Sequence, residues 1–412
     1  MSKKIRRSLS AAREITDMVL AHYMSAVQAH QESRWVAWCT AVAPPSEILY
    51  SMGIQPLFPE NYACVATVMR TMSKAFEISE SHGLSRDLCS YARGVMGFVL
   101  GGEAPLGGME KPDILISTKN VCLSYLKWWQ LMAHTLQRPL YVIDCPRIIS
   151  EIEESHLRYV SEQLERLVLR LEKITGRTLD KDKLKEALEL SSKAAELWRR
   201  VLGLRKARPC PVGVTDSSAA MFPLVASAGT MEAVEYYEKL LDEVSERVEA
   251  GTGVIEDEKF RLLLSGIPYW HHLDLFNYLK NRYGAVFVYE LYTATWGITS
   301  LNSTRPFESL AFKMLYNPTN MPPKWAEEWI AGIVKDFDID GIVLLSSRSC
   351  KATSINNLVI HRVLRDKYGI PSVVIEADHT DHRDYSDAEI KAKLDTFMEI
   401  LGSKSHMRPA NR

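Results

Sequence analysis

KPDILISTKNVCLSYLKWWQLMAHTLQRPLYVIDCPR, residues 111–147, is the stretch whose reading decides the fold. Residues 113–117 form a short apolar run after Lys-Pro, which reads as a buried strand. Residues 139–143 read as a second strand, leading into Asp-Cys-Pro. Between them, residues 121–136 have the length and apolar spacing of an amphipathic helix. Strand, helix and strand in that order make a βαβ unit, and a βαβ unit implies a parallel sheet. Cys122 falls just past the carboxyl end of the first strand, near the helix N-terminus. Open α/β sheets place their ligands there, and a helix dipole favours a thiolate there.

The same design returns near the C-terminus. Residues 340–346 (DGIVLLS) read as a buried strand, followed by Arg348-Ser349-Cys350-Lys351, a helix over 354–368 and a strand over 371–376. Cys350 therefore holds the same kind of position as Cys122. A lone cysteine reads as a small buried hydrophobe; two at equivalent strand ends point instead to two α/β lobes facing one site.

A chain of 412 residues favours two or three domains. Fifty lysines and arginines against 51 aspartates and glutamates leave no field directed at nucleic acid or an anionic membrane. Seven cysteines, unevenly spaced and odd in number, fit a disulfide scaffold poorly and favour a reducing, cytoplasmic setting. The basic N-terminus lacks the continuous apolar core of a signal peptide. No run reaches the roughly 18 apolar residues of a membrane span.

Residues 1–31 read as a surface helix. A strand over 35–42 ends at Pro44-Pro45, where Ser46 is expected to cap a helix over 47–52. A short strand at 54–58 and a long helix over 62–81 follow. Cys89 lies at the start of another helix, opened by residues 87–94. The glycine-rich loop 101–108 lacks GxGxxG order and reads as a connector; no phosphate loop occurs. Residues 148–205 are charged, poor in glycine and helical in period, and read as a helical insert or spacer. Residues 206–211 are a proline-broken linker. A strand over 261–266, a helix over 273–282 and a strand over 285–290 make a further unit. Residues 293–323 read as a long loop with aromatics that line a pocket. Helices over 325–335 and 387–401 complete the chain. The expected division is an N-terminal helix (1–31), a first α/β lobe (32–147), the helical insert (148–205), a second α/β lobe (206–402) and a flexible tail (403–412).

Three candidate groups weigh less. His271 and His272 are adjacent, so they cannot share a helix face, and no acidic partner stands at metal-site spacing. Glu290, at a strand end, reads as a solvated or hydrogen-bonded carboxylate. Glu47 reads as a first-turn helix acid. Cys89, Cys122 and Cys350 weigh more: each stands at an element end among small and polar neighbours. Three thiolates from separate loops suit an iron–sulfur cluster with one open iron better than structural zinc, which wants four ligands and usually close C-x-x-C pairs. An open position lets a metal bind substrate directly. No C-x-x-C pair occurs, so spacing alone does not decide between them.

Five stretches stand out together: PSEILYSMGIQPLFPEN (45–61), DLCSYARG (87–94), PDILISTKNVCLSYLKWW (112–129), RLLLSGIP (261–268) and SRSCKATS (347–354). Through them, and over nearly its whole length, the chain resembles the (R)-2-hydroxyacyl-CoA dehydratases and the related ATP-dependent benzoyl-CoA reductases. It implies two Rossmann-like lobes and one [4Fe–4S] cluster per chain, held by Cys89, Cys122 and Cys350 with one iron open to substrate. Cys39, Cys64, Cys145 and Cys210 match no ligand position. It also implies a heterodimer with a related second subunit, this chain resembling the substrate-binding one, and a separate ATP-hydrolysing iron–sulfur activator that supplies one electron. The implied reaction takes a 2-hydroxyacyl-CoA through a ketyl radical anion to a 2-enoyl-CoA, with the electron recycled. The acid/base glutamate of the family's PEN motif falls on Glu60. A family serine is not kept where this chain reads Trp38-Cys39-Thr40-Ala41: either Thr40 supplies the hydroxyl or the role is absent. Three rival readings stay open: a benzoyl-CoA reductase subunit, a partner subunit that only relays electrons, and a zinc-holding α/β binding protein.

Overall fold

Eight strands form two separate parallel sheets in the computed structural model, which describes residues 8–101 and 103–405. The first sheet contains β1 (Val36–Cys39), β2 (Gln55–Leu57), β3 (Ile114–Thr118) and β4 (Leu140–Ile143) in the order β2-β1-β3-β4. The second contains β5 (Phe260–Ser265), β6 (Ala285–Glu290), β7 (Gly341–Ser347) and β8 (Ser372–Ala377) in the order β6-β5-β7-β8. The two orders are the same. In each, the first connection leaves one way and the third strand returns to the other side of the first. That reversal opens a crevice at the carboxyl ends of β1 and β3, and of β5 and β7.

Helices cover both faces of each sheet, which is why the central strands read as near-continuous apolar runs. Within β1, Ala37 and Cys39 enter one core and Val36 and Trp38 the other, as a two-residue period requires. Likewise Leu262 and Leu264 of β5 face one core, and Leu263 the opposite one.

The helical segment is built into this framework. Helix Glu154–Thr175 packs on Pro306–Leu315, and helix Lys181–Leu204 packs on Met231–Glu249 and on Ser46–Ser51. Its Leu164, Leu167, Leu188 and Trp198 share one core with Ile48, Ile116 and Leu310, so it is not a detached spacer. A buried ion pair ties its end to the second sheet. Arg205 donates to both carboxylate oxygens of Glu290 at 2.6 Å, and Ser217 and Thr293 donate to the same group. Glu290 is thus a hydrogen-bonded structural carboxylate.

Four expectations are corrected. The helix read over 62–81 is two helices, Pro59–Val68 and Met72–Ser81, because Arg70 turns left-handed at φ 59°. Ser46 does not cap: Pro45 occupies the cap position, Ser46 is already helical, and its buried hydroxyl has no partner among the described residues. The loop read over 293–323 contains the helix Pro306–Leu315, started by a proline in its first turn and buried through Leu310, Ala311, Met314 and Leu315. The last helix continues to Ser405, past the expected fraying point at Gly402, while the rest of the tail lies outside the described residues. The N-terminal helix begins at Ser10, and residues 1–7 also lie outside.

Candidate active site

Both crevices open into one cavity of about 250 Å³. The turn after β1 contributes Ala41, Val42, Ala43 and Pro44; the turn after β3 contributes Val121 and Cys122. From the second sheet come Gly266 and Ile267 after β5, and Cys350 after β7. Cys89 completes the thiol set from the segment that precedes helix Ser90–Gly101. Cys122 and Cys350 each stand at a cap position in extended backbone, just before the first helical residue. All three are free thiols.

Burial raises the Cys89 thiol, and the neighbouring Cys350 and Cys122 raise it further. Burial and then Cys350 push Cys122 up to about 11. Without a metal these groups stay protonated, and a metal would displace the protons. No three His, Cys, Asp or Glu side chains among the described residues converge as ligands of a single ion. Three thiols spread over three loops could instead hold a cluster of several irons, one thiolate to each.

A polar clasp joins the loops that carry Cys89 and Cys350. Ser349 Oγ accepts from the Ser90 backbone N–H at 3.1 Å and donates to the Asp378 carboxylate. The same carboxylate accepts from Thr380 and Asp381 N–H, each at 2.9 Å. His379 bridges the two loops through Ser347 Oγ at 2.6 Å and Ser90 Oγ at 3.2 Å. Although burial opposes ionisation, His379 and the Ser349 hydrogen bond hold Asp378 well below the usual carboxylate range. Behind this, fully buried Arg93 pairs with Asp381 at 2.9 Å and with Glu80 at 2.6 Å. Sequence reasoning missed this group. Its only signal was the polar run Asp378-His379-Thr380-Asp381 directly after an apolar strand.

Glu60 lines the cavity from the first turn of helix Pro59–Val68. Its Oε2 accepts a 3.3 Å hydrogen bond from Ala41 N–H, and its buried Oε1 has no partner in the described structure. Burial pushes its carboxyl up to about 8. Thr40 is fully buried and is not part of the cavity wall; its hydroxyl meets the Tyr125 hydroxyl at 2.5 Å, and Tyr125 is the one that faces the cavity. Cys64 also reaches the wall, where its thiol donates to Tyr91 Oη at 3.1 Å. Glu47 is more than a first-turn acid: it is buried, accepts from Ser191 at 2.7 Å, and pairs with Lys313 at 2.9 Å. His271, read as no metal ligand, meets the Asp378 carbonyl at 2.8 Å; burial lowers it to about 4.

The family model described as 2-hydroxyglutaryl-CoA dehydratase, D-component, matches residues 41–401. The chain belongs to that family. It is 26% identical over 396 residues to the (R)-2-hydroxyisocaproyl-CoA dehydratase alpha subunit of Clostridioides difficile, covering 95% of this chain and 96% of that one. It is 27% identical over 405 residues to the (R)-phenyllactyl-CoA dehydratase alpha subunit of Clostridium sporogenes, covering 95% and 98%. A benzoyl-CoA reductase subunit of Thauera aromatica is 30% identical over 346 residues, covering 79% of each chain. Relatives named as dehydratase subunits support an enzyme-type assignment for the chain. No helix of the described residues is long and apolar enough to cross a membrane.

Proposed function

We propose that this chain is the [4Fe–4S]-holding subunit of an (R)-2-hydroxyacyl-CoA dehydratase. The observation that carries this reading is the convergence of Cys89, Cys122 and Cys350 on one cavity that also contains Glu60. A cluster held there by three thiolates would supply the one-electron and Lewis-acid chemistry needed to expel a 2-hydroxyl group from an acyl thioester.

The chain's own residues supply the rest. The cavity walls offer mostly apolar surface around the reacting thioester, and the clasp ties the Cys89 and Cys350 loops together. Burial raises the Glu60 carboxyl to about 8, which favours the protonated acid, and its Oε1 has no partner among the described residues and is free to donate. In this reading Oε1 gives its proton to the departing hydroxyl, which leaves as water. The resulting carboxylate then takes the proton from the 3-carbon, which restores the starting state. A carboxyl titrating near the working pH suits both transfers. Relatives described as alpha subunits support a related second subunit as partner. A separate ATP-hydrolysing iron–sulfur activator would deliver the electron in the cytoplasm.

One observation favours a second reading, a benzoyl-CoA reductase subunit: the Thauera protein has the higher identity, though over a shorter stretch than the dehydratase subunits. Anaerobic protein, combined with its second subunit, activator and ATP, separates the two. Loss of water from a 2-hydroxyacyl-CoA, followed by mass spectrometry, supports the dehydratase. Two-electron reduction of an aromatic acyl-CoA without water loss supports the reductase. A cluster spectrum indifferent to either thioester would make the subunit an electron relay, and zinc in place of iron would overturn all three.

A further inference from the structure

Away from the thiols, the cavity wall includes Met221, Leu224, Val225, Tyr292, Trp296 and Ile298, alongside uncharged polar side chains such as Asn61, Thr299 and Asn317. Its apolar and aromatic members offer surface to whatever extends from the reacting carbonyl. Among the described residues, the wall holds one lysine, Lys313, and no arginine. That lysine is already committed: it pairs with buried Glu47 at 2.9 Å and donates to the Pro44 carbonyl at 3.3 Å. Arg147 stands outside the wall, exposed, with its guanidinium turned to the carbonyl oxygens of Val121 and Thr319. His379 has both ring nitrogens engaged by Ser347 and Ser90. A second carboxylate entering this cavity would therefore give up part of its hydration and meet no free cation in the wall, which is unfavourable. An apolar side chain loses nothing and gains burial.

Resting on the dehydratase reading, we infer that the acyl group carries an uncharged, branched aliphatic or aromatic side chain, and that the site selects against dicarboxylic acyl-CoA such as the 2-hydroxyglutaryl thioester. The Lys313–Glu47 pair is the selecting element, because it keeps the wall's lysine neutralised. Glu47 and Lys313 lie on different elements, helices Ser46–Ser51 and Pro306–Leu315, so the pairing depends on the fold and not on a local sequence motif.

Equilibrium binding to the cluster-loaded heterodimer, without activator so that no turnover occurs, tests this. The probes are 2-hydroxy-4-methylpentanoyl-CoA, 3-phenyllactoyl-CoA, 2-hydroxyglutaryl-CoA and free CoA. The two apolar thioesters are expected to bind roughly 100-fold tighter than the glutaryl one. Glu47→Gln keeps the Ser191 hydrogen bond and releases the lysine charge, and should narrow that ratio about tenfold by strengthening glutaryl binding. Glutaryl binding within threefold of the apolar thioesters in the unmodified protein overturns the inference and leaves the dehydratase reading standing. Failure of all three thioesters to bind better than free CoA overturns that reading and the inference with it. An unchanged ratio in Glu47→Gln, with thermal midpoint and iron content retained, refutes the role given to the pair.

Discussion

Burial favours the protonated form of Glu60 because it leaves the carboxylate poorly solvated, with only its own backbone N–H and that of Ala41 to oppose the shift. Removing the acid without removing the shape should therefore cost rate and not fold. Glu60→Gln is expected to lower turnover by roughly 10²–10⁴. A normal rate with a lowered thermal midpoint would make Glu60 a structural residue. Its pH signature is separate. The unfolded chain's glutamate titrates near 4.5 and the folded one near 8, so the folded state holds the proton more tightly. The resulting contribution to stability is complete below pH 4.5 and declines as pH rises through about 8. Thermal midpoints from pH 5 to 8.5 should thus fall less steeply in Glu60→Gln than in the unmodified protein. For the thiols, alanine at Cys89, Cys122 or Cys350 should abolish or destabilise iron binding. Alanine at Cys64, whose thiol is engaged by Tyr91, or at Cys210 should not; equal iron loss from both sets would sink the ligand assignment.

At the scale of elements, the clasp and the Arg205–Glu290 pair do different work. Ser349→Ala removes the hydroxyl shared by Ser90 and Asp378. Outer-shell losses of this kind typically weaken metal affinity 10–100-fold. Iron release to a chelator should accelerate accordingly, with little change in thermal midpoint of the metal-free protein; an unchanged release rate would confine the clasp to the fold. Glu290→Ala should instead destabilise the fold by about 3–5 kcal/mol, because Arg205 is left charged and buried. Legibility follows the same division. Strands and helices with a clear period, such as Ile114–Thr118 and Leu123–Leu136, fall within two residues of their sequence reading. The break at Arg70 was hidden because backbone geometry, not apolar spacing, makes it. Helix Pro306–Leu315 was hidden by Asn, Ser, Thr and Pro on its flanks, which read as loop. The clasp was hidden because Ser90 and Ser349 meet across 259 positions of chain.

For the whole molecule, two parallel sheets were legible because each lobe carries its own apolar runs and strand-end cysteines. Part of the cavity's wall was legible too, since aromatics of 293–323 such as Trp296 and Tyr316 line it as expected; the contribution of helix Pro306–Leu315 through Lys313 was not, because that helix was read as loop. Exposed apolar residues such as Leu123 and Ile355 adjoin the elements that carry Cys122 and Cys350. Under the proposed function the chain should co-purify with a related subunit and turn over little without it; full activity from the isolated chain, given activator and ATP, would refute that. The division of the thiols has a mechanical meaning. Two come from the first lobe and one from the second, so anything that holds all three acts as a rivet through the joint between lobes. Oxygen damage to such a rivet would then be a loosening event as well as a chemical one. Amide hydrogen exchange should report it: after air exposure, protection should drop together around Cys89 and Cys350, while the buried strands β3 and β7 stay protected.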